Sequence, residues 1–230
     1  MNNEFADWDA DLQRGRLRGF ARIRAVLWQR SVRLTEWITF GGKAWFWKLR
    51  WRHWHAFRSV NLHNRSRLTD RSLVYGSTPI VTAWKLLELC KTLAPEHSQA
   101  FVDLGSGNGL VALTAAGHGY RAVGYELEQD WVRRGNEVAH ALTLDCRFVA
   151  EDFCQAEWPQ EAVVFTVGTA FPAPMREVML SRFASLKRGS LFVVGDWSLP
   201  EPYLLLWRGR LPVDWGIITF SIYILSKQKA

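Results

Sequence analysis

Phe101-Val102-Asp103-Leu104-Gly105-Ser106-Gly107-Asn108-Gly109 joins a short apolar run to three alternating glycines, and a second apolar run begins at Leu110. The first run predicts a buried strand over 100–104, and the second predicts a helix over 110–116. Because glycine has no Cβ, the backbone between them can turn sharply and approach a ligand closely. The stretch therefore predicts a strand–loop–helix unit of a layered α/β sheet, with a ligand held at the loop.

The sequence around this unit alternates between helical periods and short apolar runs, which is the pattern of a βαβ sheet. Further helices are predicted over 79–93, 130–142 and 174–186, and further strands over 121–125, 146–149, 162–167 and 191–194. Thr78 is a suitable N-cap for the first of these helices, with Pro79 at its first position. Two β-rich runs between Tyr203 and Leu225, separated by residues 208–212, predict a closing antiparallel pair. The expected fold class is α/β: a Rossmann-like, mostly parallel sheet with helices on both faces, this C-terminal pair and an N-terminal helical arm.

The acid in front of the glycines indicates the kind of ligand. The dinucleotide pattern G-x-G-x-x-G requires a third glycine at position 110, where this chain has leucine. The carboxylate of Asp103 would repel a phosphate, but it suits a ligand that carries a cationic amine or a sulfonium. S-adenosylmethionine carries both groups. The sequence therefore predicts this cofactor at Asp103, Gly105 and Gly107, and makes a nicotinamide cofactor the poorer choice.

Further carboxylates follow at the next two strand ends. Glu126 lies 23 residues past Asp103, at the end of the second strand, where a carboxylate can accept both ribose hydroxyls. Asp152 follows the third strand and can meet the adenine amino group, while the ring of Phe153 can lie against the adenine. The competing interpretation is a loop that merely turns tightly, with carboxylates that cap helices.

From about residue 72 to the C-terminus the chain resembles the class I methyltransferases, and within them the seven-strand protein lysine methyltransferases. These include the histone lysine type and the mitochondrial family that acts on the ATP synthase c subunit. The resemblance is carried by four stretches: Val74-Tyr75-Gly76-Ser77-Thr78, Phe101 to Gly107, Val163-Val164-Phe165 followed by Ala170-Phe171, and Glu151-Asp152-Phe153 leading to Glu157-Trp158. It implies that Tyr75 and Thr78 contact the methionine end of the cofactor, and that the acceptor is a protein lysine.

The segment after the fourth strand differs from that family. The histone-directed enzymes carry an Asn-Asn pair before an aromatic residue, whereas this chain has Val167-Gly168-Thr169-Ala170-Phe171-Pro172. The hydroxyl of Thr169 and backbone carbonyls are the candidate substitutes. Tyr75, Phe171 and Trp197 are candidates for an apolar mouth that keeps a lysine amine dry and lowers its pKa. The predicted catalytic residues are thus Tyr75, Thr169 and Phe171.

Other chemistries find little support. Pro172 is followed by Ala173, so the Asn/Asp-Pro-Pro-aromatic element of base-directed methyltransferases is absent. Three scattered cysteines indicate neither a disulfide framework nor a thiolate zinc site. The His53-x-His55 pair has no carboxylate near it in sequence, so a surface position is expected and no metal site is predicted. The acidic start and the absence of a long apolar stretch favour a cytoplasmic protein, with peripheral membrane association open.

The basic charge is concentrated in the N-terminal third. Residues 1–71 hold 15 Lys/Arg against 6 Asp/Glu, whereas residues 72–230 hold 14 against 16. Seven of the 13 tryptophans also lie in the first segment. This composition boundary predicts two parts: a basic, Trp-rich helical arm over 1–71 and an S-adenosylmethionine-binding methyltransferase domain over 72–230.

Trp47, Trp51 and Trp54 fall on one helical stripe, which Phe40 and Ala44 extend, with lysines and arginines largely off it. Three interpretations stay open: docking of this stripe on the domain, binding of residues 28–58 to an anionic membrane surface, and, less favoured, contact with nucleic acid.

Three functions remain open for the whole chain. The leading hypothesis is an S-adenosylmethionine-dependent methyltransferase that N-methylates a lysine accessible on a protein substrate. The second is a methyltransferase of a lipid headgroup or another small amine at a membrane surface. The third is a module that binds the cofactor without catalysis and acts through the basic arm.

Overall fold

The computed structural model of the protein describes residues 20–59 and 76–225. Seven strands form one sheet in the order β3-β2-β1-β4-β5-β7-β6. The strands are β1 Ala100–Leu104, β2 Arg121–Glu126, β3 Cys146–Ala150, β4 Val163–Val167, β5 Leu191–Gly195, β6 Tyr203–Val213 and β7 Gly216–Leu225. The first five are parallel, and β7 pairs antiparallel with both β5 and β6. The order reverses between β1 and β4, which is the switch point where open α/β sheets bind ligands.

Helices cover both faces of this sheet, as predicted. They are α1 Phe20–Phe40, α2 Ala44–Phe57, α3 Ile80–Leu93, α4 Leu110–Gly117, α5 Gln129–Ala141 and α6 Ala173–Ala184. Successive residues of one strand point to opposite faces. Phe101 of β1 packs in the core with α3, α4 and α5, whereas its neighbour Val102 packs in the second core with α6. Because both faces are buried, the parallel strands are continuous apolar runs in the sequence.

The C-terminal antiparallel pair is confirmed, but the predicted position of the turn between its strands is wrong. Residues 208–212 were predicted to separate the two strands, yet they lie inside β6, and the chain turns at Asp214 and Trp215. The sheet order places β6 at the edge. An edge strand tolerates Pro212 because one side of its backbone needs no ladder hydrogen bond.

The arm docks on the domain through Phe40 of the predicted stripe, but not through the tryptophans of that stripe. Phe40, Phe46 and Leu49 are buried in the same hydrophobic cluster as the sheet. Trp47, Trp51 and Trp54 are 45%, 61% and 53% exposed. Docking through these three tryptophans is therefore wrong as an interpretation, since the buried residues of α2 lie on the opposite side of the helix. The predicted boundary at residue 71 lies outside the described residues.

Polar contacts made by Trp28, Arg134 and Glu36 help to fix the arm against the domain. The indole Nε1 of Trp28 donates to the Val213 carbonyl at 2.7 Å. The guanidinium of Arg134 on α5 donates to the Ala56 carbonyl at the end of α2. The third contact is made by Glu36, which is 1% exposed. None of the described helices is both long and apolar enough to cross a membrane.

Glu36 of the arm, not Thr78, caps α3. The helix begins at Ile80 with Pro79 as the N-cap residue and without a local side-chain cap. Oε1 of Glu36 accepts the Ile80 N–H at 2.5 Å, and its Oε2 lies 3.4 Å from Arg50 Nη2. The N-cap prediction for Thr78 is thus wrong, because a carboxylate from 44 residues upstream already satisfies the first helical N–H.

We expect Glu36→Ala to destabilise the folded chain by about 1–2 kcal/mol, the usual effect of losing an N-cap. The reason is that the Ile80 N–H would lose its acceptor while buried. Urea unfolding would measure the change in the free energy of unfolding. Glu96→Ala, at an exposed position, is the matched control and should change it by no more than about 0.5 kcal/mol. Equal stability of the two variants would contradict this role of Glu36.

Candidate functional site

The glycine loop follows β1 at the switch point. Gly105, Gly107 and Gly109 have φ angles of 73°, 55° and 75°, which are left-handed values that favour glycine. The start of the loop is tied to β2, because the Tyr125 carbonyl accepts the N–H groups of Gly105 at 3.0 Å and Ser106 at 2.9 Å. The sequence thus forms a tight, fixed turn at the carboxyl edge of the sheet.

Space as well as conformation requires glycine in this loop. A Cβ on Gly109 would lie 2.5 Å from Cζ of Phe148, so that aromatic ring would have to move. A Cβ on Gly105 would lie 3.9 Å from Cε1 of Phe153, an ordinary contact, which places this aromatic ring beside the loop. The ring that was predicted to lie against the adenine is thus close to the glycine loop.

Asp103 sits under the loop, near the end of β1, and is only 2% exposed. Burial, assisted by the nearby charge of Glu126, raises the pKa of the Asp103 carboxyl to about 7. Its Oδ2 atom is buried and accepts no hydrogen bond within the described chain. A buried carboxylate oxygen without a donor costs free energy, and a cationic N–H donor from a ligand would satisfy it.

Glu126 ends β2 beside the loop. Its Oε2 accepts the Gly107 N–H at 2.8 Å, and its Oε1 accepts the N–H groups of Leu127 at 2.9 Å and Glu128 at 3.1 Å. These backbone donors hold the carboxylate at the carboxyl edge of the sheet. The side chain predicted to bind a ribose therefore lies next to the glycine loop in a fixed orientation.

Asp152 lies two residues after β3, at the next position along the same edge. Its Oδ1 accepts the Cys154 N–H at 2.9 Å and so stabilises a turn. The neighbouring ring of Phe153 lies 5.7 Å from the ring of Phe171, measured between centroids. Both rings are half-buried, so the pair forms an apolar wall that links the ends of β3 and β4.

Thr169 lies in a 3₁₀ turn, Gly168–Ala170, directly after β4. Its Oγ1 donates to Oδ2 of Asp196 at 3.2 Å. Asp196 follows β5 with φ of 52°, an uncommon conformation for a non-glycine residue, and its Oδ1 accepts the Thr219 N–H at 3.3 Å. The sequence reasoning missed Asp196, although an acid directly after the predicted fifth strand was the available signal.

Arg176 was also missed and stabilises the same turn. Its Nη2 donates to the Gly168 carbonyl at 2.7 Å, and its guanidinium carbon lies 5.7 Å from the ring centroid of Trp197. Trp197 is half-buried and packs on the second core. No local pattern could have paired this arginine on α6 with the end of β4.

The arm also reaches the site, through His53. Its Nε2 lies 3.0 Å from the carbonyl of Asn108 in the glycine loop, so this nitrogen carries the proton. Burial lowers the pKa of His53 to about 4, which keeps the ring neutral at neutral pH. The expected surface position of His53 is wrong, because the ring is buried between the arm and the loop.

Two predicted cofactor contacts come from the segment before α3. Tyr75 lies outside the described residues. Thr78 is 5% exposed, and the adjacent segment packs tightly, since a Cβ on Gly76 would lie 2.1 Å from the Trp215 ring.

The structure therefore brings four predicted strand-end groups to one edge of the sheet. In sheet order they are Asp152 with Phe153, Glu126, Asp103 with the glycine loop, and Thr169 with Phe171. Asp196 adds the end of β5. Within residues 20–59 and 76–225, no cluster of His, Cys, Asp and Glu could hold a metal ion.

Solved methyltransferase structures share this architecture at low identity. Magnesium protoporphyrin IX methyltransferase from Synechocystis PCC 6803, with bound S-adenosylmethionine, is 15% identical over 78% of this chain and 97% of its own, with a TM-score of 0.54. A proposed RNA methyltransferase from Pyrococcus horikoshii is 16% identical over 69% of this chain and 89% of its own, with a TM-score of 0.54. The chain has the Rossmann-like fold of these methyltransferases. No protein-family model and no curated protein matches the sequence.

We expect Gly109→Ala to destabilise the protein by about 2 kcal/mol or more, because a left-handed alanine is strained and its Cβ would displace Phe148. Gly117→Ala is the matched control at the end of α4, where a Cβ meets nothing within 4 Å. That control should be neutral or slightly stabilising. The two free energies of unfolding, measured in urea, would be compared. A Gly109→Ala variant as stable as the control would contradict the geometry of the loop.

Proposed function

We propose that the protein is an S-adenosylmethionine-dependent methyltransferase that acts on an amine. The observation that carries the proposal is the buried Asp103 carboxylate, whose Oδ2 has no hydrogen-bond donor in the described chain and lies under a loop of left-handed glycines. A nucleotide phosphate would be repelled there, whereas an amino or sulfonium cation would be attracted. Methyltransferases with bound S-adenosylmethionine share the fold, which agrees with this choice of cofactor.

The order of the groups along the sheet edge fits the parts of this cofactor. Neighbouring strands lie about 4.8 Å apart, so the ends of β3, β2 and β1 span about 10 Å. Asp152 and Phe153 would hold the adenine, Glu126 the ribose, and Asp103 with Gly105 and Gly107 the methionine end. Tyr75 and Thr78 are proposed as further contacts of that end, from the resemblance to the lysine methyltransferases.

The groups beyond β1 suit an amine acceptor. When bound, the cofactor supplies an electrophilic methyl group on a sulfonium. The half-buried ring of Phe171 would shield the amine from water, which favours its uncharged form. Because Thr169 donates its hydroxyl proton to Asp196, its oxygen presents lone pairs that can accept an N–H from the acceptor and orient it.

A lysine side chain on a protein substrate is the acceptor we propose first. The stretches shared with the seven-strand lysine methyltransferases support it, with Thr169 in place of their amide side chains and Tyr75 and Phe171 lining the amine channel. In this proposal residues 72–230 form the catalytic domain and residues 1–71 form an arm that brings the domain to its substrate.

A lipid headgroup or another small amine at a membrane surface is the second candidate. The observation that favours it is the exposed face of the arm, which carries several tryptophans among basic residues. The third candidate, a cofactor-binding module without catalysis, differs from both because it transfers no methyl group.

Incubation of the protein with methyl-labelled S-adenosylmethionine and cell extract separates these candidates. Label in protein bands, mapped to lysine by mass spectrometry, is the expected result. Label in the organic phase would support the lipid or small-amine acceptor instead. Measurable cofactor binding without label in any fraction would support the non-catalytic module.

We expect Asp103→Asn to weaken S-adenosylmethionine binding by about 10- to 100-fold, the effect of removing a charged hydrogen-bond partner. The same change should stabilise the protein without cofactor at pH 8. The reason is that the pKa of Asp103 lies near 7 in the folded chain against 3.8 for a free aspartate, so the folded state loses stability as the pH rises from about 4 to about 7. Calorimetric titration and urea unfolding would measure the two effects.

A matched control is Asp145→Asn, at an exposed position before β3. It should change neither the affinity nor the stability measurably. The stability gain of Asp103→Asn should also narrow at pH 5, where the folded wild type keeps this carboxyl protonated. Undiminished cofactor affinity in Asp103→Asn would remove the assignment of the site.

Thr169→Val should lower the turnover of the methyl acceptor by about 10- to 100-fold while leaving the cofactor affinity unchanged. Valine keeps the shape of threonine but cannot orient an amine. The matched control is Thr219→Val on β7, whose backbone N–H rather than its side chain contacts Asp196. Equal turnover of both variants would show that Thr169 does not orient the acceptor.

A further inference from the structure

The arm carries a second apolar stripe on the side that faces away from the domain. On α1, the buried side chains Ala25, Val32, Glu36 and Phe40 lie on one side of the helix. The opposite side, at spacings of four, seven and four residues, is formed by Ile23, Leu27, Leu34 and Ile38. These four side chains are 53–75% exposed, which is unusual for large aliphatic residues on one helical face.

The same division occurs on α2. Phe46, Leu49 and His53 are buried against the domain, whereas Trp47, Trp51 and Trp54 are exposed on the opposite side. The two exposed stripes meet where α1 turns into α2, because the rings of Trp37 and Trp47 are in edge contact at 6.4 Å between centroids. Together these residues form one surface, which we call the outer arm face: Ile23, Leu27, Leu34, Trp37, Ile38, Trp47, Trp51 and Trp54.

The charge of the arm determines which partner suits this face. Residues 20–59 contain nine Lys/Arg and a single acid, Glu36. That acid is buried and bonded to the Ile80 N–H, so the described part of the arm presents no acidic side chain at its surface. Lys48 and Arg52 are exposed on α2, and Arg58 lies over the ring of Trp54 at 5.1 Å. The outer arm face is thus apolar and aromatic within a cationic surround.

We propose that the outer arm face docks on an anionic lipid bilayer, with its tryptophans and aliphatic side chains in the interfacial layer. Tryptophan favours this layer because its ring is apolar and its N–H remains hydrated. Lysine and arginine near the surface of an anionic leaflet add about 1 kcal/mol each. Nucleic acid explains the face less well, because the four exposed aliphatic side chains gain nothing from phosphates or stacked bases.

This docking would also place the candidate site near the lipid. His53 lies on the inner side of α2 and contacts the Asn108 carbonyl of the glycine loop, while Trp51 and Trp54 lie on the outer side of the same helix. A helix with its side chains is about 10–12 Å thick. The glycine loop therefore lies about one helix thickness from the docked face. If the proposed function holds, the amine acceptor is then a group presented at the membrane surface. Only this statement about the acceptor rests on the proposed function.

Vesicle co-sedimentation of the full chain tests the docking without cofactor or acceptor. Vesicles of phosphatidylcholine with 30% phosphatidylglycerol should bind the wild type, and pure phosphatidylcholine should bind it much less. Ile38→Gln/Trp51→Gln/Trp54→Gln should lower the partition coefficient on anionic vesicles by about tenfold or more. Lys48→Gln/Arg52→Gln should lower it by about thirtyfold, which corresponds to about 1 kcal/mol for each charge.

The matched control is Leu204→Gln/Leu205→Gln, which removes two exposed apolar side chains at the opposite end of β6 from Val213, the residue of this strand that contacts Trp28 of the arm, and should leave vesicle binding unchanged. Circular dichroism would show that every variant keeps the wild-type fold. Vesicle binding that is equal in the wild type and the triple variant would overturn the proposal. So would binding of duplex or single-stranded RNA and DNA without binding of vesicles, or self-association through this face without binding of vesicles. Cofactor titration is a separate measurement, so failure of the proposed function would be recognised independently.

Discussion

A carboxylate held out of water at the switch point of the sheet is the constraint on which the rest of the site depends. Asp103 is buried near the end of β1, and burial raises its pKa to about 7. A folded chain gains no stability from such a group, since an uncharged side chain of the same shape would avoid the desolvation. A bound cation would compensate the free energy that is lost when this carboxylate is buried. The proposed cofactor fits this requirement because it carries an amine and a sulfonium.

The glycine loop is stabilised from two sides that are distant in the sequence. On one side, the Tyr125 carbonyl and the Glu126 carboxylate accept N–H groups of Gly105, Ser106 and Gly107. On the other side, His53 of the arm contacts the Asn108 carbonyl. The arm is therefore part of the environment of the loop as well as a cover for one face of the sheet. A surface that binds the outer arm face would act one helix away from the candidate cofactor site.

Hydrogen bonds between elements distant in the sequence also stabilise the turns on the other side of β1, after β4 and β5. Thr169, Asp196 and the Thr219 N–H form a hydrogen-bonded series across the ends of β4, β5 and β7. Arg176 closes the 3₁₀ turn through the Gly168 carbonyl. The hydroxyl of Thr169 is thus fixed by the strands around it, and an acceptor that binds there meets a preorganised oxygen instead of a mobile side chain.

The sequence by itself determined the five parallel strands, the helices between them and the carboxylates at the ends of β1, β2 and β3. Two-sided burial requires continuous apolar runs, and these placed β1 at 100–104 and the other parallel strands within one or two residues. Only the tertiary structure decided which distant groups meet. Glu36 caps a helix 44 residues away and His53 reaches a loop 55 residues away, and such contacts leave no local pattern. The same holds for the arm: helical periodicity identified Trp47, Trp51 and Trp54 as one face. Whether that face is buried depends on the surface available opposite it, and the domain covers the other side.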